Sequence, residues 1–140
     1  MNWQEFEQLM SEAAAKISAR PAAIVAIVRG GLIPGRVLST LLGVRTMYAL
    51  TVEKFEEKRF IRTSINAELD GLEVLLVEDA LESGESLLVA QEYLESLGAT
   101  VESFALYTTG NTKVIPTYTL GVVSKIPEFP WENAAGEQKQ

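Results

Sequence analysis

Two short apolar segments, each followed by a glycine-containing loop, constrain the fold of this chain more than any other feature. They are AAIVAIV at residues 22–28 and EVLLV at residues 73–77. Uninterrupted apolar runs of this length are typical of strands that are buried on both faces of a sheet. Because a segment with helical spacing of apolar residues follows each loop, the order predicts βαβ units. We therefore expect an α/β fold with a mostly parallel central sheet flanked by helices.

The other elements predicted from the sequence complete such a sheet. Further strand-length segments rich in apolar residues occupy residues 44–52, 103–108 and 117–123. Segments with apolar residues at helical spacing occupy residues 2–20, 32–42 and 87–97. In parallel sheets of this kind, ligands bind at the carboxyl ends of the strands. The loops predicted at residues 29–31 and 78–86 both lie at such ends, so they are the first places to look for function.

Residues 1–132 contain no linker, internal repeat or low-complexity stretch, so we expect a single domain. Within it, residues 53–70 are polar and charged, and a weak alternation from Phe60 to Ile65 suits an exposed strand or a hairpin arm. Residues 133–140 are polar, small and without periodicity. We expect these last residues to form a disordered tail.

The chain of 140 residues contains no cysteine and no histidine, which excludes several chemistries. Disulfides, thiolate nucleophiles and Ser-His-Asp triads are ruled out, and a metal ion would have to bind oxygen ligands, which favours Mg²⁺, Mn²⁺ or Ca²⁺. The formal net charge of -7 argues against binding nucleic acid. No apolar run approaches the roughly 20 residues that span a bilayer, and the first ten residues lack the features of a signal peptide. We expect a cytoplasmic protein without a membrane or nucleic-acid partner.

Charge is distributed unevenly along the sequence. Residues 1–62 carry a net charge of +3, whereas residues 63–140 carry a net charge of -10. Chance and solvated helix faces explain such a split as well as function does, unless functional motifs fall on both sides of it.

The segment VEDALESGES, from Val77 to Ser86, places two acids directly after a buried strand and a serine-glycine loop before a helix. Backbone N–H groups at a helix N-terminus bind phosphate, and a glycine allows the phosphate to approach closely. Adjacent carboxylates at the end of a strand suit ribose hydroxyls or a divalent cation. An ordinary serine-capped helix start also explains residues 83–86, but it does not explain why Glu78 and Asp79 follow four apolar residues.

A second candidate loop, Arg29-Gly30-Gly31, follows the first buried strand. Two glycines permit a backbone conformation that offers N–H groups to a diphosphate, and Arg29 adds a charged donor. A plain turn beside an exposed arginine explains this loop equally well when it is considered alone. The occurrence of both loops, in this order, at strand carboxyl ends favours the functional interpretation.

These segments resemble the motifs of the type I phosphoribosyltransferases, most closely those of the 6-oxopurine (xanthine-guanine and hypoxanthine) branch. VEDALESGES is similar to the motif that binds phosphoribosyl pyrophosphate (PRPP), although Glu82 stands where Asp is usual and Ser83 and Ser86 stand where Thr is usual. The Arg-Gly-Gly loop is similar to the family's pyrophosphate loop. KIPEFPWE, at residues 125–132, resembles the segment that closes the purine pocket. The resemblance covers roughly residues 22–132 and implies the type I phosphoribosyltransferase fold with a small flexible hood.

The resemblance implies a role for each part of a PRPP site. The two acids at the start of the motif would bind the ribose hydroxyls, directly or through Mg²⁺, and Asp79 and Glu82 are the candidate catalytic residues. Glu82 would act as a general acid or base near the purine imidazole nitrogen. The metal ligands would be Glu78 and Asp79. The PRPP-binding residues would be Arg29, Gly30, Glu78, Asp79, Glu82, Ser83, Gly84, Glu85 and Ser86.

The resemblance assigns residues 53–70 to a mobile hood that closes over the reaction. A second pyrophosphate contact could come from Lys54, Lys58, Arg59 or Arg62, and for each of them a solvated charged hairpin is an equally good explanation. At the base, relatives usually carry a lysine after the strand that ends at Tyr107, where this chain has Thr108, Thr109 and Gly110. The base-binding candidates are therefore Thr109, Ile126 and Trp131, although Trp131 would serve equally well as a packing anchor and Lys113 as a surface residue.

The expected activity is phosphoribosyl transfer from PRPP to a purine base, which gives a nucleoside 5′-monophosphate and pyrophosphate with Mg²⁺ as cofactor. The expected partners are these substrates and, by resemblance, a second copy of the chain in a homodimer. The alternative is a non-catalytic domain of the same fold that senses PRPP or a nucleotide. The absent base-reading lysine and the glutamate at position 82 motivate this alternative.

Overall fold

The computed structural model describes residues 1–132. Its elements follow the order α1 (Trp3–Lys16), β1 (Ala23–Val28), α2 (Leu32–Leu42), β2 (Met47–Phe55), β3 (Lys58–Ile61), β4 (Glu73–Leu81), α3 (Glu85–Ser96), β5 (Thr100–Thr108), β6 (Tyr118–Val122) and a 3-10 turn (Pro130–Glu132). The predicted α/β fold is confirmed. The tail predicted over residues 133–140 lies outside the described residues. No helix in the described part of the chain is long and apolar enough to cross a membrane.

The six strands form one sheet in the order β3-β2-β1-β4-β5-β6. Neighbouring strands are parallel, except that β3 runs antiparallel to β2. The two apolar segments that constrained the fold become β1 and β4, the two central strands. Residues 23–27 and 74–77 are almost completely buried, as expected for strands that are covered on both faces.

Helices cover both faces of the sheet. On one face, Phe6 of α1 and Leu38 of α2 pack with Leu75 of β4. On the other face, Leu87 and Leu94 of α3 are buried in a second cluster with residues of β1 and β4. Burying each such side chain contributes roughly 1.5–3 kcal/mol to the hydrophobic stabilisation. The two clusters hold the central strands in place, and the carboxyl ends of these strands carry the candidate loops.

Helix α1 begins with a capping box, in which the Asn2 side chain accepts from the Glu5 N–H at 2.8 Å and the Glu5 carboxylate accepts from the Asn2 N–H at 3.4 Å. The helix ends at Lys16, four residues before the predicted end. Ile17 has an extended backbone conformation and is only 8% exposed. The helix ends here because the extended backbone at Ile17 places its side chain in the core.

Strand β4 extends to Leu81, so the loop predicted to begin at residue 78 begins only after residue 81. Pairing with β5 continues along this extension, with Glu78 in register with Ala105 and Leu81 with Thr108. The described pairing with β1 ends at Val77. The acids are therefore accommodated in a strand that has lost one neighbour and kept the other, which leaves space beside them for a ligand.

Strands β2 and β3 form an exposed hairpin that corresponds to the first part of the predicted hood. Its two-residue turn, Glu56-Glu57, has φ values of 48° and 64°. Positive φ at both central residues is what a type I′ hairpin turn requires. The second part of the predicted hood is packed against the domain. Ile65 and Leu69 are buried, and the Ile65 N–H donates to the Tyr93 hydroxyl at 3.1 Å.

Candidate active site

A cavity of about 710 Å³ opens at the carboxyl end of β4. Residues 78–87 form one side of its wall, residues 125–129 form the other, and Arg59 and Glu132 complete it. Sites for small molecules commonly enclose roughly 300–1,000 Å³. The cavity thus has the size and the location expected of a ligand site in a parallel sheet.

The acid pair, Glu78 and Asp79, lies in this wall at the end of β4. The Glu78 carboxylate accepts from the Asp79 N–H at 3.2 Å, and the Asp79 carboxylate accepts from the Ala80 N–H at 2.6 Å. Burial, assisted by the negative charge of Asp79, raises the pKa of Glu78 to about 8. Burial also raises the pKa of Asp79. Because desolvation disfavours both charged forms, a cation or hydroxyl donors would stabilise this pair.

The loop Arg29–Gly31 packs directly against the acid pair. A Cβ atom added at Gly30 would lie 2.5 Å from the carboxylate oxygens of Asp79, and one added at Gly31 would overlap the Val77 carbonyl oxygen. Glycine is therefore required at both positions by close approach. The Val28–Arg29 peptide bond is cis. Arg29 is exposed and is not among the described residues that form the cavity wall.

The segment Glu82–Ser86, here called the phosphate loop, connects β4 to the first turn of α3. Gly84 has a φ of 78° and forms the N-cap of this helix. The Ser83 hydroxyl oxygen accepts from the Glu85 N–H at 3.3 Å. Glu82 is exposed and lines the cavity. The loop therefore presents the positive end of a 12-residue helix to the cavity, as a phosphate-binding loop does.

A neighbouring segment, residues 109–114, supports the phosphate loop from outside the cavity. The Thr109 N–H donates to the Leu81 carbonyl at 2.9 Å, and the Thr109 hydroxyl donates to the Glu82 carbonyl at 3.1 Å. The Lys113 N–H donates to the Ser83 carbonyl at 2.8 Å. Thr109, a candidate for base binding, thus holds the phosphate loop and is not part of the cavity wall.

Glu85 connects the phosphate loop to two cationic side chains. Its carboxylate lies 2.9 Å from the Lys113 amino group and 3.4 Å from an Arg59 guanidinium nitrogen. The hydrogen bond and charge of Lys113, with a smaller contribution from Arg59, lower the pKa of Glu85. Of the four candidate hood cations, Arg59 lines the cavity, whereas Lys54 and Arg62 are paired within the hairpin.

The C-terminal segment closes the other side of the cavity. Ile126, a base-binding candidate, lines the wall together with Lys125. Trp131 lies outside the wall, where its ring stacks on Phe129 at 4.9 Å and meets the Phe6 ring edge-on at 5.1 Å. Between the two interpretations of Trp131, the structure favours the packing anchor over contact with a base.

The structure thus brings the acid pair, the phosphate loop and Ile126 to one cavity. It leaves the predicted site residues Arg29, Gly30, Thr109 and Trp131 outside the wall, although Gly30 lies close to Asp79. Lys125, Glu128 and Glu132 also line the cavity, although the sequence did not single them out as site residues. These residues all belong to the segment 125–132 that resembled a pocket-closing element. That resemblance was the available signal, although it could not say which side chains would face the cavity.

The residues present suit Mg²⁺ better than a metal ion that needs a full protein cage. Among residues 1–132, no group of three or more acidic side chains is arranged to hold a metal ion. The acid pair offers two carboxylates, which fits a cation that keeps several waters and takes its remaining ligands from substrate oxygens. Any such ion would therefore depend on the substrate for part of its coordination.

Comparisons with known proteins agree with this arrangement. Residues 1–137 match the model of the phosphoribosyl transferase domain family. The structure of a purine phosphoribosyltransferase from Pyrococcus horikoshii superposes with a TM-score of 0.89 at 30% sequence identity, covering 99% of this chain and 97% of that chain. The fold is therefore shared over nearly the whole length of both proteins.

The curated proteins that match over shorter regions include the following two. The xanthine-guanine phosphoribosyltransferase of Cereibacter sphaeroides is 36% identical over 86 residues, which span 56% of this chain and 52% of that protein. The orotate phosphoribosyltransferase of a Sulfurovum species is 38% identical over 76 residues, which span 54% of this chain and 36% of that protein. The chain thus spans about half or less of the curated relatives that it matches. Because the family model covers all but the last three residues, this chain belongs to the phosphoribosyl transferase domain family.

Proposed function

We propose that this protein transfers the phosphoribosyl group of PRPP to a purine base and forms a nucleoside 5′-monophosphate and pyrophosphate. The observation that carries the proposal is the close approach of Gly30 to the Asp79 carboxylate, because it joins the Arg29–Gly31 loop to the acid pair beside one cavity. Similarity to the Pyrococcus purine enzyme over nearly the whole chain supports a purine as the acceptor.

In this proposal, the acid pair holds the ribose hydroxyls and Mg²⁺, and Arg29 and Gly30 contact the pyrophosphate. When bound, Mg²⁺ would supply positive charge to offset the charge that develops on the leaving pyrophosphate. The phosphate loop, Glu82–Ser86, binds the ribose 5′-phosphate with its backbone N–H groups. The substrate therefore lies across the end of β4, held at both of its anionic ends.

During transfer, a base nitrogen bonds to the ribose anomeric carbon as the bond from that carbon to the pyrophosphate oxygen breaks. Positive charge develops on the ribose in this transition state, and the nearby carboxylates of the acid pair stabilise it. The proton lost by the base passes to the Glu82 carboxylate, which lines the cavity. The reaction thus needs neither histidine nor cysteine, in agreement with the composition.

The base occupies the side of the cavity formed by the C-terminal segment. Ile126 packs against the face of the base, and the Lys125 amino group can donate to an exocyclic oxygen. Lys125 would then replace the base-reading lysine that relatives carry after the strand equivalent to β5. We also propose that the protein is cytoplasmic and that it forms a homodimer. Sedimentation of the purified protein would test the homodimer.

A panel of bases tests the activity. Pyrophosphate release is measured from PRPP and Mg²⁺ with hypoxanthine, guanine, xanthine, adenine, orotate or uracil. Asp79→Asn should reduce turnover by at least about 100-fold, since it removes a charge that faces the reacting ribose. Glu73→Gln, at the exposed first residue of β4 and outside the cavity wall, is the control and should retain activity. Turnover with pyrimidines only would contradict the purine assignment, and full activity of Asp79→Asn would remove Asp79 from the site.

A PRPP- or nucleotide-sensing domain remains a second candidate for one structural reason. Thr108, Thr109 and Gly110 stand where relatives usually carry a base-reading lysine, and the Thr109 hydroxyl donates to the Glu82 carbonyl. A sensor would bind PRPP or a nucleotide without releasing pyrophosphate in the presence of any base. The same base panel, combined with calorimetric titration of PRPP, distinguishes the sensor from the enzyme.

A further inference from the structure

The ion-pair cluster Glu85, Lys113 and Arg59 joins three separate parts of the chain beside the phosphate loop. Glu85 is the first residue of α3, Lys113 belongs to the supporting segment 109–114, and Arg59 belongs to β3 of the hairpin. Two cations share one carboxylate, so the cluster carries a net charge of +1. This positive charge adds to that of the α3 N-terminus.

The positions of the two cations are fixed relative to the phosphate loop. The Lys113 backbone is hydrogen-bonded to the Ser83 carbonyl at 2.8 Å, so its side chain starts next to the loop. The Arg59 side chain is only 20% exposed and lines the same cavity. Arg59 therefore lies in the cavity wall, whereas the Lys113 side chain is 64% exposed and approaches the cavity through its contact with Glu85, which lines the wall.

A phosphate dianion at the phosphate loop would change the balance within this cluster. It carries twice the charge of the Glu85 carboxylate and has more acceptor oxygens, so both cations would interact with it more strongly. Lysine and arginine side chains lose conformational entropy when they are immobilised. Because Glu85 already restricts both side chains, part of this cost is met before the phosphate binds.

We propose that Lys113 and Arg59 bind the 5′-phosphate of the substrate, and that Glu85 holds both cations at the phosphate loop until the phosphate arrives. This inference rests on the proposed function, since it assigns residues to the same site. It gives Lys113 a role on the phosphate side of the cavity rather than at the base. The Glu85 side chain positions the two cations and does not itself bind the phosphate.

Calorimetric titration of the full chain with two partial ligands tests this assignment. Ribose 5-phosphate carries the 5′-phosphate alone, and pyrophosphate with Mg²⁺ represents the other end of PRPP. Lys113→Met and Arg59→Met should each weaken ribose 5-phosphate binding about tenfold and change pyrophosphate binding by less than about twofold. The control, Lys16→Met, alters a lysine in the last turn of α1 that does not line the cavity, and it should change neither affinity.

Glu85→Gln separates the proposed role from a purely structural ion pair. If the cluster only stabilised the loop, Glu85→Gln and Lys113→Met would weaken ribose 5-phosphate binding alike. We expect Glu85→Gln to weaken ribose 5-phosphate binding clearly less than Lys113→Met does, because the carboxylate only positions the cations and its loss also removes repulsion of the phosphate. Equal weakening by both variants, or wild-type affinity in Lys113→Met, would overturn the inference. Absence of ribose 5-phosphate and PRPP binding by the wild-type protein would overturn the proposed function as well.

Discussion

Substitution of Gly84 by alanine should damage the phosphate loop far more than the same change at another glycine with a similar backbone. Gly84 has a φ of 78°, and an added Cβ would overlap the Thr112 hydroxyl oxygen and lie 2.8 Å from a Val114 methyl carbon. Gly71 has a φ of 75°, but an added Cβ there would meet no atom within 4 Å. The two variants therefore share the backbone strain and differ in the steric contact.

The expected free energies of unfolding follow from these two contributions. A left-handed conformation costs an alanine about 1–2 kcal/mol, and the reduced entropy of the unfolded chain returns about 0.4–1 kcal/mol. Gly71→Ala should thus lower the free energy of unfolding by about 1 kcal/mol. Displacing segment 109–114 adds about 1–3 kcal/mol, as in other overpacked sites. Gly84→Ala should therefore lose about 2–4 kcal/mol.

Thermal unfolding and ligand binding measure the two effects separately. For a chain of this size, 1 kcal/mol corresponds to roughly 3 °C in Tm, so we expect losses of about 3 °C for Gly71→Ala and about 6–12 °C for Gly84→Ala. Ribose 5-phosphate should bind Gly71→Ala normally and Gly84→Ala at least about tenfold more weakly. Equal Tm values and equal affinities in the two variants would refute the role given to the contact between the phosphate loop and segment 109–114.

Three further predictions concern the acid pair, the aromatic anchor and the base. The folded protein retains the Glu78 proton up to a pKa of about 8, against 4.5 in the unfolded chain. The free energy of unfolding should therefore fall as pH rises from about 4.5 to about 8. Urea unfolding with chelator present should show this fall in the wild type, and the free energy of unfolding of Glu78→Gln should depend less on pH. The same pH dependence in both proteins would contradict a buried, protonated Glu78. Trp131→Leu should lose about 2–3 kcal/mol in the same assay, since it removes the stacking on Phe129 and the edge contact with Phe6, and a loss below about 0.5 kcal/mol would rule out an anchor. Lys125→Met should raise the KM for a 6-oxopurine about tenfold and leave the KM for PRPP unchanged, and equal changes in both would exclude a role in reading the base.

The centres of the elements could be predicted from the sequence, whereas several ends could not. Unbroken apolar runs identify β1 and β4 because burial on both faces requires them. The end of β4 was missed because Glu78 and Asp79 look like loop residues. Their place in a strand depends on pairing with β5, 27 positions further along the chain, as the register of Glu78 with Ala105 shows. Local composition contains no information about that pairing.

The same distinction applies to the site. The acid pair and the phosphate loop are contiguous in sequence, so one motif predicts them together. The association of Lys113 with Glu85 depends on how segment 109–114 packs beside the loop, and the association of Arg59 depends on the hairpin. Lys125 lines the cavity in the same segment as Phe129, whose buried ring packs this segment onto the core. Such contacts arise from tertiary packing, which no short motif contains.

The strand order also determines how firmly each end of the cavity is attached to the domain. The acid pair belongs to β4, which bonds to both β1 and β5, whereas Arg59 lies on β3, an edge strand joined to β2 by four residue pairs. Opening the hairpin therefore breaks fewer strand pairs than displacing β4, which is paired along both of its edges. Amide hydrogens of residues 74–77 should exchange with solvent slowly, and those of residues 53–61 quickly. A ligand that contacts both Arg59 and the acid pair would link the hairpin to the centre of the sheet and so reduce the motion of the hairpin. Substrate can enter and product can leave on the hairpin side without disturbing the residues that hold the ribose.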